Sequence, residues 1–549
     1  MTNKELARVF YKLGKLMELH GESPFKTRAY DNAYRIIRGY PDPLIDQSAG
    51  VLMEISGIGK AIAEKIVEWR ETGQLITLNK YLDITPPGVQ DMLEIKGLGP
   101  KKIYQIWQQL GIESVGELLY ACNENRLVSL NGFGTKSQQD IAAKAQFFLD
   151  SLGFMHYSVA RGIGAELLKQ LQSKFPTERF SEVGDLRRAS NVVEKIELIG
   201  TASIQEISSV LEEGAFIESD NSKWQFSFQG YTCIYHKSST DTWGSDLWLL
   251  SAEDDFISEI LNGKEFPTAL SDEDQVFRHL GIPYIHPEKR EAVLVEFEEI
   301  MYSKSTLNLG HIKGIIHAHS TYSDGGATLS EMATFCKQNG FEYLGITDHS
   351  KSAFYASGLE SSRVKQQWDE IDQLNALDQE FKIYKGIESD ILNDGSLDYE
   401  DDILKGFDFV IASIHSNLRM DEAKATQRLI KAIENPYTTI LGHPTGRLLL
   451  SRSGYPIDHK KIIDAASANR VAIEINSNPY RLDLDWSWIP YALKKGVMLS
   501  INPDPHSLQG IFDIQWGIPP AIKGGAEPEN LLCCLNTEQF SLFLRNRKS

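Results

Sequence analysis

Apolar residues recur with two different periods along the chain, and the change of period divides it. Over the first 150 residues they fall at helical spacing, as in Leu6, Val9, Phe10, Leu13, Leu16 and Met17 and again in Ile62, Ile66 and Trp69, with Gly-rich turns between. The pattern predicts a run of short amphipathic helices. From about residue 151 strand-like runs enter, KIELIG at 195–200 and YTCIYH at 231–236, mixed with helical segments. A polar, unpatterned stretch follows Phe297. From 311 to about 510, short apolar runs alternate with helical segments: IKGIIH, FEYLGIT, FKIYKGIE, FDFVIASIH, YTTILGH, RVAIEIN and GVMLSIN. Seven such strand–helix units in succession predict a parallel βα barrel rather than an open sheet.

Composition bounds what these elements can be. The 549 residues allow several domains at roughly 100–200 residues each. Hydrophobic residues at 42% and charged residues at 24% are a globular balance and exclude wholesale disorder. No apolar run reaches the roughly 18–20 residues that span a bilayer. The amphipathic start MTNKELARVFYKLGKLMELHGE lacks the apolar core of an export signal. The five cysteines (Cys122, Cys233, Cys336, Cys533, Cys534) form no CxxC pair, which excludes zinc ribbons and disulfide scaffolds and predicts a cytoplasmic protein. The net charge of −19 argues against a general nucleic-acid coat. It is uneven, however: residues 1–150 carry 18 Lys and Arg against 18 Asp and Glu, and the remainder carries 38 against 57. A polyanion would meet least repulsion on the first 150 residues.

Three segments there share one design. Gly57-Ile58-Gly59-Lys60, Gly97-Leu98-Gly99-Pro100-Lys101-Lys102 and Gly132-Phe133-Gly134-Thr135-Lys136 each place an apolar residue between two glycines, then a Lys, then a helical run. The glycines permit a tight turn with close backbone approach, and the following helix start offers N–H groups and a positive dipole end to a phosphate. One such turn reads as a plain helix–helix connection. Three, each with Lys one or two residues after the second Gly, resemble helix-hairpin-helix motifs that bind DNA backbones without reading base sequence.

The barrel region carries a second constellation. His317 and His319 end the first run two residues apart, so both imidazoles share a face. Asp324 follows, and later runs supply Asp348-His349, Glu388, His415, His443 and Asp504-Pro505-His506. Six of the 13 histidines thus sit near expected strand ends, where a βα barrel builds its site. Imidazole with carboxylate is a ligand set for Zn2+, Mn2+ or Fe. The remaining histidines, His20, His156, His236, His279, His286, His311 and His459, read as core or solvated residues.

At this point the motifs resemble a known family. GESPFKTRAYDNAYRII (21–37), the hairpins, GDLRR (184–188) and SDEDQVFRHLGIPYIHPEKRE (271–291) resemble successive parts of a bacterial family X DNA polymerase. ITDHS (346–350), GIESDIL (386–392), DGSLDY (394–399), ASIHS (412–416) and LGHPTGRLLL (441–450) resemble the PHP (polymerase and histidinol phosphatase) domain fused to such polymerases. The resemblance implies four parts. These are a helical lyase-like domain over 1–80, a fingers-like helix-hairpin-helix domain over 81–150, an α+β nucleotidyltransferase-like palm and thumb over 151–300, and an α/β PHP phosphoesterase barrel over 311–549, a distorted (βα)7 barrel. It also implies up to three ions, with Mn2+ foremost and Zn2+ or Fe as alternatives. One would take His317, His319, Glu388 and Asp504; a second Glu388, His415 and His443; a third Asp324, His349 and His506. Arg447 and Lys351 are candidates for substrate phosphate, Arg447 through its bidentate fork, with a surface ion pair as the other reading of each.

The palm departs from the family. Where the family has Gly-Ser, this chain has Gly184-Asp185; after Arg187-Arg188, the two metal-binding aspartates become Lys195 and Glu197. A Lys ammonium repels Mg2+. The strand expected to hold the third carboxylate, YTCIYH, has none, and Leu250-Ser251-Ala252 is followed by Glu253, Asp254 and Asp255. Glu194 and Glu197 lie three apart and so face opposite sides of a strand. The expectation is a DNA-binding, metal-dependent 3′–5′ exonuclease or 3′-end processing enzyme of DNA repair, with polymerase activity lost. Its substrate would be gapped, nicked or 3′-ended DNA. The alternatives are a small-molecule phosphatase of the histidinol phosphatase type and a DNA-binding scaffold with a vestigial metal site.

Overall fold

The computed structural model describes all residues except 96, 151–152, 210, 212–216, 221 and 549. It divides into two compact units, Met1–Phe148 and Leu149–Ser549.

The first unit is entirely helical. Thr2 and Glu5 close a capping box on Asn3–Leu19, and Leu6, Phe10, Leu13, Leu16 and Met17 are buried. That apolar stripe packs on Pro24–Gly39, where Tyr30, Ala33 and Ile37 meet it. Gly14 permits the approach, since a Cβ there would come within 3.1 Å of Tyr30 Cβ. The helices Lys60–Thr72, Pro100–Leu110 and Thr135–Asp150 each follow one of the three Gly-rich turns.

The second unit holds a five-stranded sheet and a barrel. Sheet order is Phe180–Val183, Ile196–Gly200, Tyr231–Lys237, Lys223–Phe228, Ile217–Asp220, with only Ile196–Gly200 and Tyr231–Lys237 parallel. The polar stretch after Phe297 contains a short helix, Glu298–Met301, that the sequence pattern does not reveal.

All seven expected barrel strands form, at Gly314–Ile315, Tyr343–Ile346, Lys382–Asp390, Phe409–Ser413, Thr438–Leu441, Ala472–Asn476 and Leu499–Asn502. They pair in parallel in chain order. The distortion is at the seam. First and last strands do not pair directly; Leu499 bridges to Leu531 and the Lys313 N–H donates to Cys533 O at 2.7 Å, so the segment 531–533 fills the gap. At the C-terminal end the His319 N–H donates to Pro505 O at 3.1 Å, drawing the two edges together above that filler. Strands such as FVIAS and AIEIN are buried on both faces, as parallel strands covered by helices require.

Buried polar ties join residues before 300 to the barrel inside this unit. Lys523, 1% exposed, reaches Glu291 at 2.5 Å and the Arg188 carbonyl at 3.2 Å, and Asn191 donates to Asp485 at 3.3 Å.

Candidate functional site

Every strand of the barrel but the sixth brings one or more of the nine expected ligand residues to its C-terminal end. The carboxylate of Glu388, inside the third strand, is the hub. It lies 3.1 Å from His415 Nε2, 3.0 Å from His443 Nε2 and 2.9 Å from His349 Nδ1 through its two oxygens. His317 Nε2 is 3.3 Å from Asp504 Oδ1 and 3.5 Å from Glu388 Oε1, while His319 Nε2 is 2.9 Å from the same Asp504 oxygen. Asp324 faces His506 Nε2 at 3.3 Å and His349 Nε2 at 3.6 Å.

Ligand atoms of three sets lie within 4.8 Å of one another: His317, His319 and Asp504; His349, Glu388 and His415; and His319, Asp324, His349 and His506. The sets overlap the expected ones only in part: Glu388 is not grouped with His317, His319 and Asp504, His349 rather than His443 joins Glu388 and His415, and His443 falls outside all three. His319 and His349 each sit between two sets, and their rings stand side by side with centroids 4.4 Å apart.

The residues fit divalent ions. His317 Nε2, His319 Nδ1 and both His349 nitrogens are buried and lie near carboxylate oxygens without the alignment of a hydrogen bond, a costly arrangement for polar atoms unless a cation sits between them. Burial opposes charge on His415, yet Glu388 and Asp390 outweigh it and lift the imidazole to about 10, so a cation binding there would displace its Nε2 proton. Burial and then Arg481 push His443 down to about 3, which leaves it neutral. Burial also opposes the charged form of Asp324, but His349 and His506 hold it below the usual carboxylate range.

Behind these residues stands a second layer that the sequence pattern does not single out. Glu474 Oε2 lies 3.0 Å from His317 Nδ1, Asp390 Oδ1 lies 2.6 Å from His415 Nδ1, and Asn476 donates to Asp504 Oδ2 at 3.1 Å. A carboxylate at Nδ1 fixes the ring so that Nε2 presents its lone pair. A signal is present all the same: Glu474 is a charged residue in the otherwise apolar run VAIEI, and Asp390 shares a strand face with Glu388. Asp348, beside His349 in sequence, serves the loop instead. Its carboxylate accepts from Ser320 N at 2.8 Å, Ser320 Oγ at 2.6 Å and Gln367 Nε2 at 2.6 Å.

Arg447 spends its fork inside the protein, on Asp485 at 2.6 Å and on the carbonyls of Arg481 and Leu482. Lys351 lies with Nζ 5.5 Å from the Tyr399 ring centroid. Just before the strand Ile196–Gly200, Lys195 lies 3.1 Å from Glu194, and within it Glu197 bonds His236 at 2.6 Å. Arg187 makes two bonds to Glu273, at 2.8 and 2.9 Å, and Arg188 bonds Asp185 at 2.6 Å. The region that resembles a palm is therefore internally paired. His236, expected to be bland, proves to be Glu197's partner.

The three Gly-rich turns share one bonding pattern. The N–H of Ile58 donates to Ile55 O at 2.9 Å, that of Leu98 to Ile95 O at 3.1 Å, and that of Phe133 to Leu130 O at 3.1 Å. Each bond runs from the apolar residue between the glycines to the carbonyl three residues back. Gly57, Gly97 and Gly132 hold φ of 92°, 88° and 84°, the left-handed region that favours glycine. At Gly59, Gly99 and Gly134 an added Cβ would meet nothing within 4 Å, so the backbone before each helix faces open space. Lys60 opens the first of these helices, Lys101 and Lys102 follow Pro100 in the second, and Lys136 is the second residue of the third. Lys102 lies over the Phe133 ring at 5.2 Å, so the second and third turns adjoin.

Residues 1–75 match a helix-hairpin-helix domain, residues 89–146 a SAM-like helix-hairpin-helix tandem and residues 316–478 the PHP domain. Hairpins of this type and a metal-dependent PHP barrel together define a hydrolase that binds DNA. Over 578 aligned positions the chain is 34% identical to the DNA polymerase/3′-5′ exonuclease PolX of Bacillus subtilis (strain 168), covering 99% of this chain and 100% of that protein. The chain belongs to the PolX family of bacterial family X polymerases with a C-terminal PHP domain. A shorter stretch is 29% identical over 247 residues to a probable phosphatase of Thermoanaerobacter sp. (strain X514), covering 42% of this chain and 94% of that protein. Another is 33% identical over 209 residues to a probable phosphatase of Caldicellulosiruptor bescii, covering 35% and 78%. Among the described residues no helix is long and apolar enough to cross a membrane.

Proposed function

We propose that the protein is a Mn2+-dependent 3′–5′ exonuclease acting on gapped, nicked or 3′-ended DNA in the cytoplasm, and that its palm no longer synthesises DNA. One observation carries the nuclease reading: a buried cluster of six imidazoles and three carboxylates in a chain that also has three Lys-bearing hairpin turns.

His317, His319, Glu388 and Asp504 would hold one ion, Glu388, His415 and His443 a second, and Asp324, His349 and His506 a third. When bound, such ions supply positive charge that polarises a phosphoryl oxygen and acidifies water. The chain's own contribution is orientation. Glu474 and Asp390 keep the Nδ1 protons of His317 and His415, and Asn476 turns Asp504 toward the cluster. Lys351 is the cation assigned to the substrate phosphate. The pairing of Arg447 with Asp485 favours its other reading, an ion pair that holds the segment 481–485.

Loss of synthesis is supported by the palm's own pairing. Lys195 occupies one expected metal position, Glu197 is engaged by His236, and Arg187 and Arg188 are taken by Glu273 and Asp185. The similarity to probable phosphatases keeps a small-molecule phosphatase as the second reading.

His319→Ala, or Asp504→Ala with His506→Ala, is expected to abolish release of nucleotides from a 3′-labelled oligonucleotide. DNA affinity measured by anisotropy should stay nearly intact. Full nuclease activity in either variant would remove the assignment.

A further inference from the structure

Building on the nuclease reading, we propose that Phe354 is a stacking platform for the base of the 3′-terminal nucleotide. Phe354 lies on the loop that follows the second barrel strand, at the end of the barrel where the ligand cluster sits. It is 84% exposed. The same loop buries its small residues, Ala353 and Ala356, at 0% and 1% exposure. Its largest apolar side chain is thus the one given to solvent.

A mobile tip does not account for that exposure. The Ala353 N–H donates to Ser350 O at 3.0 Å, Gly358 N–H to Ala353 O at 3.0 Å and Leu359 N–H to His349 O at 2.9 Å. Ser352 donates through N–H to Asp398 at 2.7 Å and through Oγ to Asp390 at 3.1 Å. A Cβ on Gly358 would come within 2.0 Å of the Ser350 carbonyl oxygen, so the turn closes tightly.

Those bonds also tie the loop to the cluster. Asp390 is the carboxylate that holds His415, and the Tyr355 ring stands 6.4 Å from that of His349. Phe354 is one residue from Tyr355, about 3.8 Å along the backbone. Phe354 thus belongs to the loop that borders the ligand cluster, and Lys351 lies on the same loop.

Cations beside exposed aromatic rings are how proteins hold single-stranded nucleic acid. Every base has a π-face, so stacking is tolerant of sequence. Phe has no hydrogen-bonding group to read a base edge, which suits an enzyme that must accept any 3′ end. A small phosphate ester without a ring would gain nothing from it.

The test compares wild type with Phe354→Ala and Phe354→Trp in the full-length protein with Mn2+. Two single-stranded oligonucleotides serve as substrates, alike except that one lacks the base on its 3′-terminal nucleotide. Phe354→Ala should lower kcat/KM on the intact oligonucleotide by about 5- to 150-fold, the range set by alanine substitution at stacking sites. Phe354→Trp should retain it, and wild type and Phe354→Ala should converge on the abasic substrate. Equal rates for wild type and Phe354→Ala on intact DNA would overturn the inference and leave the nuclease reading standing. A loss of the same size on both substrates would also overturn it, as the mark of a purely structural loop. A wild type that cuts neither substrate would remove the nuclease reading and this inference with it.

Discussion

At the residue scale, the cluster depends on groups that touch no ion. Glu474 is wholly buried, and its Oε2 lies 3.0 Å from His317 Nδ1. Glu474→Ala leaves that ring free to turn, and affinity for Mn2+ should fall by about 10- to 100-fold, the usual cost of losing such a partner. Competition against a chelator measures it. An unchanged affinity would show that packing alone orients His317. The histidines are legible in the sequence because each follows an apolar run, and a strand's end is where a barrel exposes its chemistry. Glu474 is not, because period counting treats one charge in an apolar strand as an interruption. The run marks the charge as unusual, and the 3.0 Å approach to His317 Nδ1 shows where it points.

At the scale of elements, the seven strands are legible as runs of β-branched and apolar residues, and all seven form. The filler at 531–533 is not, because its pairing amounts to isolated bonds to Leu499 and Lys313 that leave no period in the sequence. The three turns are legible through their glycines, and the first of each pair, Gly57, Gly97 and Gly132, takes a positive φ. Replacing Lys101 and Lys102 by Glu should weaken binding to unrelated DNA sequences alike, since bonds to phosphate carry no base information. The slope of log affinity against log salt should also shrink, by roughly 0.9 for each phosphate no longer neutralised on duplex DNA. Anisotropy titrations at several salt concentrations check both. No change would mean that the second turn connects helices and does nothing more.

At the scale of the molecule, buried ion pairs tie the beginning of the region over 151–300 to its end. Glu273 sits between Arg187 and Arg290, at 2.8 and 2.7 Å, with Arg290 fully buried. Burial raises the carboxyl, but Arg290 and Arg187 overcome it and hold it at about 2, below its ordinary 4.5. A carboxyl lowered on folding stabilises fully above its unfolded value and loses that contribution as pH falls toward its folded one. Glu273→Ala should therefore cost about 3–5 kcal/mol near neutral pH, where it leaves two guanidinium groups without their carboxylate. The difference from wild type should narrow as pH falls from 4.5 toward 2. Urea denaturation at a series of pH values reads it, and a difference independent of pH would contradict the assignment. The same pairing bears on synthesis. With Arg187 and Arg188 occupied and Lys195 where the family resemblance expects a metal-binding aspartate, a nuclease-dead full-length protein should not extend a primer with either Mg2+ or Mn2+.

The central claim is metal-dependent release of nucleotides from DNA 3′ ends, and the most direct test is the fate of a 3′-labelled oligonucleotide incubated with Mn2+ or with chelator. The label should leave as mononucleotide in Mn2+, while a 5′-labelled copy shortens stepwise, and both should stay intact in chelator. Release that persists in excess chelator, or intact DNA alongside rapid hydrolysis of histidinol phosphate, would contradict the account.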